Sequence, residues 1–268
     1  MISVLLINLD QSEDRLKFQK KQLEKRKISM RRLSAVKSTD LSDIEYESLA
    51  NGWQRKLRRT EVACFLSHKR AWEYVLKTGK PWLILEDDAL LSKKISDILK
   101  VMAEKIGEID YVNLETRYRR KWIGRKSIEL ISEYKLRRLY QDRNGSAAYV
   151  LFPSGAKKLL NRAQIHLPAL ADAFLSESYE LNAWQIYPAA AIQFDQCMNY
   201  NLILDLPFKS TITSSDNPKP KANHFKDYLY FKLRRILGQL RMGMRQVVVS
   251  AVAEYRKIPL LNIDFKFK

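Results

Sequence analysis

Trp82-Leu83-Ile84-Leu85-Glu86-Asp87-Asp88 is the stretch that decides the fold. Four apolar residues followed at once by three carboxylates read as a short strand buried on both faces, as in mostly parallel sheets. In open α/β sheets, ligands bind just beyond the carboxyl ends of such strands. Crowded carboxylates repel one another, and burial disfavours their charged form. A bound divalent cation offsets that cost, and oxygen ligands at this density suit Mn²⁺ or Mg²⁺. Alternate residues of an extended chain point the same way, so Glu86 and Asp88 face one ligand together and Asp87 faces elsewhere. A solvated acidic turn after a strand is the competing reading of the same residues.

Working outward, Thr60 to Lys77 carries apolar residues at Val62, Phe65, Leu66, Trp72, Val75 and Leu76, close to a 3.6-residue repeat. This predicts a helix capped by Thr60 at its start, closed by Gly79 and stopped by Pro81. Val4 to Leu9 is a continuous apolar run, hence a buried first strand. Gln11 to Lys27 reads as a helix and Met30 to Val36 as a second strand, which gives a βαβ opening. Downstream, Tyr111–Leu114, Ser146–Phe152 and Ile186–Phe194 read as strands, and Ser154–Arg162 as a helix. The expectation is a catalytic domain over residues 1–209, a Ser/Thr/Pro/Lys-rich linker over 210–222, and a basic amphipathic extension over 223–268. That extension reads as helical from His224 to Arg256.

The 268 residues can bury a core without disulfides, so Cys64 and Cys197 read as reduced thiols of a cytosolic protein. Met1 to Asp10 lacks the basic leader of a signal peptide, and no apolar run is long enough for a membrane span. The net charge of +18 points to an acidic partner: nucleic acid, anionic lipid or a phosphorylated substrate. From Asn217 onward, 12 Lys and Arg stand against 3 Asp and Glu, so the excess concentrates in a basic tail. The aromatic-basic motifs and Gly-rich loops of RNA-binding modules are not found.

Several segments together resemble glycosyltransferase family 25, the bacterial lipopolysaccharide-type galactosyl- and glucosyltransferases. They are Ile7-Asn8-Leu9-Asp10 with Ser12 and Arg15; Leu33-Ser34-Ala35-Val36; and Glu61 to His68 with Ala71-Trp72. Leu83 to Leu90, Gly145 to Val150 with Gly155-Ala156, and Leu167 to Leu175 complete the set. Val62-Ala63 stands where the family often has Ile-Gly, and Ser146 where Thr is common. The resemblance covers roughly Met1 to Gln196. It implies a GT-A fold, a Rossmann-like and mostly parallel sheet flanked by helices. It also implies a UDP-hexose donor (UDP-galactose or UDP-glucose) and inversion to a β-glycoside.

With that chemistry, Asp88 holds the metal, supported by Glu86 or Asp87, with Gln193 a weaker contributor. The metal neutralises the leaving diphosphate. Asp172 is the candidate general base and Glu177 the reserve, against a helix cap or ion pair. Asn8, Leu9, Asp10 and Arg15 lie where the uridine sits, Arg15 pairing with a phosphate. Ala35 and Val36 flank the uracil. His68, Ser67, Asp87 and Asn113 are further donor-side candidates, against structural roles in the core. Gly145 and Ser146 line the acceptor cleft, against a simple turn. The basic tail implies docking on the anionic inner face of the bacterial inner membrane, where a lipid-linked oligosaccharide acceptor is found. A nucleic-acid-binding protein and a noncatalytic membrane adaptor are the alternatives; the expected partners include no nucleic acid.

Overall fold

A computed structural model describes residues 1–105, 108–141, 145–202, 220 and 224–266. Ser3–Asn8 (β1), Glu13–Glu24 (α1) and Met30–Ser34 (β2) form the expected βαβ opening, with β1 and β2 parallel. Asp43–Leu49 (α2) and Arg59–Thr78 (α3) follow, then Trp82–Glu86 (β3), Ala89–Leu91 (β4) and Ile95–Lys105 (α4). Tyr111–Asn113 (β5), Arg120–Ile131 (β6), Tyr134–Gln141 (β7) and Ala148–Leu151 (β8) come next. Pro153–Ile165 (α5), Ala171–Glu177 (α6), Ala183–Tyr187 (β9) and Ala191–Gln193 (β10) lead to Phe225–Ser250 (α7) and Ala253–Lys257 (β11).

Nine strands build one sheet in the order β11-β6-β7-β9-β5-β8-β3-β1-β2, and β4 and β10 pair separately. The pairs β1–β2, β1–β3 and β5–β9 are parallel and the other five are antiparallel, so six strands run one way. The Rossmann-like α/β expectation holds. Because side chains alternate across a strand, Val4 and Leu6 join Leu83 and Leu85 in a core beneath α1 and α4. Leu5 and Ile7 join Ile84, Phe65 and Trp72 in the opposite core, beneath α3, α5 and α6. Val4 to Ile7 of β1 and Trp82 to Leu85 of β3 therefore had to be apolar without interruption, as the sequence pattern required.

Several local expectations change. Helix α3 begins one residue before Thr60, with Arg58 in the capping position. There the Glu61 carboxylate accepts the Arg58 backbone N–H at 2.8 Å and also binds the Arg55 guanidinium. Gly79 closes the helix at φ +62°, the left-handed conformation a glycine adopts without steric cost. The single late strand expected over Ile186–Phe194 is two: β9 in the main sheet and β10 paired with β4. The long charged hairpin of β6 and β7 was not expected.

The expected linker lies outside the described residues, apart from Pro220. Beyond it, the helix ends at Ser250, not Arg256. Ala253–Lys257 instead pairs antiparallel with β6 and covers the sheet edge, where unpaired backbone groups would otherwise be exposed. Tyr255 stacks on Trp122 with ring centroids 5.3 Å apart, and Ile258 and Phe265 are fully buried. Asp264 accepts the Tyr134 hydroxyl at 2.7 Å. Residues 253–266 thus pack against the main sheet.

Candidate active site

The parallel register sets Ile7 beside Glu86, so the carboxyl ends of β1 and β3 finish together. Between them and the start of α3 lies a cavity of about 180 Å³, lined by Asn8, Leu9, Arg15, Ala35, Val36, His68, Glu86 and Asp87. With Ser67, which also lines it, nine of the residues singled out in the sequence thus meet at one place. Ser67 supports the wall: its hydroxyl accepts the Val36 N–H at 2.9 Å and donates to the Ala63 carbonyl at 2.8 Å.

The three carboxylates have three different environments. Glu86 Oε1 accepts the Ser146 hydroxyl at 2.7 Å and lies 3.2 Å from His68 Nε2. Burial alone would raise this carboxyl, but His68, Ser146 and the charge of Arg117 outweigh it and hold it below the usual range. Asp87 Oδ2 accepts from Asn8 Nδ2 at 2.8 Å, and Oδ1 pairs with Arg15 Nη1 at 3.0 Å. Burial still prevails over these partners and raises its carboxyl. Asp88 is 5% exposed and receives only long contacts, 3.3 and 3.4 Å, from Gln193 Nε2. Burial, then the negative charge of Glu86, push its carboxyl up to about 7.

Among the described residues, no three Asp, Glu, His or Cys side chains converge as a ready-made metal cage. Asp88 nevertheless fits a cation: it is a buried carboxylate, repelled by its neighbour and held by no strong donor. Mg²⁺-type ions are commonly bound by one or two carboxylates and completed by substrate phosphates. Gln193 turns its amide nitrogen toward Asp88 and its oxygen toward the Arg117 guanidinium, so it is placed as a donor to Asp88, not as a ligand oxygen.

His68 is fully buried, and its neighbours order its ring. Trp72 Nε1–H can only donate, and it gives its proton to the Tyr149 oxygen at 2.9 Å. Tyr149 therefore donates to His68 Nδ1 at 2.9 Å, which leaves Nε2–H to face Glu86. Tyr149 and Trp72 were missed as site supports because both read as core aromatics.

The remaining candidates spread out. Asp10 is exposed and outside the cavity. The hydrogen bond from Arg32, then those from Ser34 and Lys37, lowers its carboxyl to about 2. Asn113 sits inside β5, where it donates to Tyr111 and accepts the Glu115 N–H at 2.8 Å; it does not line the cavity. Gly145, at φ +103°, presses on Glu115, a fully buried carboxylate that the sequence reading did not single out. Glu115 Oε1 accepts the Ala147 N–H at 3.0 Å, Oε2 has no partner, and burial raises the carboxyl to about 8. No local pattern marks it, since an isolated acid after a short strand is ordinary.

Asp172 and Glu177 lie on α6 and line a second cavity of about 390 Å³, walled on its far side by α7. Burial, with the charge of Glu86 adding in the same direction, raises the Asp172 carboxyl, so the two carboxylates sense each other. Glu177 lies 4.0 Å from Arg162.

Comparison with known proteins places this arrangement. The family model for glycosyltransferase family 25 (LPS biosynthesis protein) matches residues 1–175. Lipooligosaccharide biosynthesis protein lic2B of Haemophilus influenzae is 25% identical over 202 residues, 71% of this chain and 76% of the relative. Probable inactive glycosyltransferase 25 family member 3 of Bos taurus is 28% identical over 204 residues, 68% of this chain and 33% of the relative. Its Rattus norvegicus counterpart is 26% identical over 145 residues, 48% of this chain and 24% of the relative, so the chain corresponds to only part of the mammalian proteins.

Proposed function

We propose, because the chain belongs to glycosyltransferase family 25, that it is an inverting, metal-dependent enzyme moving galactose or glucose from a UDP-sugar to a lipopolysaccharide or lipooligosaccharide core acceptor. The observation that carries this reading is the convergence of Asn8, Arg15, Asp87 and the apolar pair Ala35 and Val36 on one cavity at the strand ends, with Asp88 the next residue of the chain after Asp87. Arg15, which pairs with Asp87 at the cavity wall, supports the reading as a guanidinium able to bind a phosphate. Ala35 and Val36 offer the flat apolar surface a uracil needs. Mn²⁺ or Mg²⁺ on Asp88, with Glu86 nearby, would neutralise the diphosphate as it leaves.

Asp172 is the proposed base for the acceptor hydroxyl. Its raised carboxyl brings it nearer neutral pH, where a base is most effective. Glu177 is less suited, because Arg162 stands beside it.

The membrane completes the proposal. Among the described residues, no helix is long and apolar enough to cross a bilayer. Helix α7 nevertheless exposes Phe225, Tyr228, Leu237, Leu240, Val247 and Val248, interspersed with Lys and Arg. Such a face suits peripheral docking on the anionic cytoplasmic face of the inner membrane, beside a lipid-linked acceptor.

The test is turnover. The protein is incubated with UDP-galactose or UDP-glucose, a divalent cation and O-deacylated lipooligosaccharide, and released UDP is measured. Acceptor-dependent release, lowered about 10²-fold or more in Asp172→Asn, supports the reading. No release with any UDP-hexose rejects it in favour of a noncatalytic role.

A further inference from the structure

The second cavity holds three buried polar atoms that lack partners. Gln141, the last residue of β7, is 1% exposed, yet neither its amide nitrogen nor its amide oxygen has a hydrogen-bond partner. The indole nitrogen of Trp53 is buried and unpaired as well. Both residues line the same cavity as Asp172. Native proteins pair nearly all buried polar groups, so three orphans on two residues lining one cavity call for a partner from outside the chain.

We propose that this cavity is the acceptor-saccharide site, in which the Gln141 amide and the Trp53 indole N–H read hydroxyls of the acceptor sugar beside Asp172. The inference rests on the glycosyl-transfer reading and gives it a specificity-determining pair. The chemistry matches a sugar hydroxyl, which donates one hydrogen bond and accepts others. Gln141 supplies a donor and an acceptor, Trp53 supplies a donor and an aromatic face, and Asp172 supplies an acceptor. The lining sets Arg119 and Arg241 against Asp172 and Glu177, so its charges balance and the neutral amide and indole favour a neutral hydroxyl over a phosphate. On the far wall, a Cβ at Gly238 of α7 would press on the Gln54 side chain at 3.2 Å, so the glycine lets the helix approach the rim closely. Arg241 and Arg245 lie over the Tyr179 ring at 5.1 and 4.1 Å and hold α7 against the rim.

The substitution Gln141→Leu separates this role from a structural one. An amide that supports the fold would lower the melting temperature when replaced. An unpaired amide kept for a ligand leaves the melting temperature unchanged or raises it. We expect a rise or no change, together with at least a tenfold increase in acceptor KM and an affinity for uridine diphosphate within twofold of the parent protein.

Binding is read directly from the tryptophan indole ¹H–¹⁵N signals, with Trp53 identified by Trp53→Phe. The protein, with Mg²⁺ and uridine diphosphate bound, is titrated with O-deacylated lipooligosaccharide. Movement of the Trp53 signal that is lost in Gln141→Leu is the expected result. A Trp53 signal that stays still while uridine diphosphate binds overturns the inference and leaves the donor reading standing. An equal movement in Gln141→Leu, or a lowered melting temperature, removes Gln141 from the role and overturns the proposal. Failure of uridine diphosphate to bind at all defeats the transfer reading and this inference with it.

Discussion

The hydroxyl of Ser146 donates to Oε1 of Glu86 at 2.7 Å, joining the chain just before β8 to the tip of β3. A hydrogen bond to a charged group contributes roughly 1.5–3 kcal/mol. Glu86 has a lowered folded-state pKa, so its stabilising contribution is present above the unfolded value and is lost as pH falls through the folded one. Ser146→Ala removes one of the groups that lower it. The acid limb of thermal unfolding is therefore expected to move to higher pH in Ser146→Ala and to stay in place in Ser146→Thr. Melting curves between about pH 3 and 6 check this.

Gly145 and Glu115 form a steric pair. A Cβ at Gly145 would fall well inside contact distance of the buried Glu115 carboxylate, and φ +103° strains any residue with a side chain. Gly145→Ala is expected to cost about 2–4 kcal/mol, combining strain and overpacking. Adding Glu115→Ala should recover part of that loss, so chemical denaturation of the single and double variants will give a non-additive cycle. Additive losses would mean the clash is relieved elsewhere.

Asp88 behaves oppositely to Glu86. Burial and the charge of Glu86 raise its folded pKa from the ordinary 3.8 to about 7, so the native state binds the extra proton between these values. Stability then falls as pH rises across that window, and the loss is complete above it. Asp88→Asn removes the penalty. Without metal, it is expected to melt a few degrees above the parent protein at pH 8, with little difference near pH 4. Calorimetry at the two pH values shows whether the sign is right.

How much of this was legible in the sequence follows from where the information lies. The strands β1 and β3 were readable because burial on both faces demands unbroken apolar runs, and Gly79 marked the end of α3 without ambiguity. The cavity cluster was readable because Asn8, Arg15, Ala35 and Asp87 each sit near the end of a recognisable element, while His68, in the middle of α3, was marked by the family resemblance of that helix. Strand β6 was hidden because Arg120, Lys121, Arg125 and Lys126 mask its alternation. Lys121 is in fact fully buried, with its amine on the Gln185 side-chain oxygen at 2.8 Å. That partner lies 64 residues away in sequence, beyond any local pattern. Strand β11 was read as helix because its charges continue those of α7. Glu115 and Gln141 were invisible for a related reason: their importance comes from lacking partners, which only the packed structure reveals.

Helix α7 makes a surface prediction. Its apolar face and basic residues should carry the protein onto anionic vesicles and not onto neutral ones, with binding weakened by salt. The paired change Leu237→Asp and Val248→Asp, at exposed positions, should reduce co-sedimentation about tenfold or more. Equal binding to neutral vesicles, or none to either, would assign the face another partner.

We propose that Asp88 recruits a divalent ion, which in turn holds a nucleotide diphosphate in the cavity at the ends of β1 and β3. Calorimetric titration of uridine diphosphate, with and without Mn²⁺, into the parent protein and Asp88→Asn is the decisive measurement. Metal-dependent binding to the parent is expected, weakened about a hundredfold or more in Asp88→Asn. Binding of equal strength in both proteins, or independent of the metal, would contradict it.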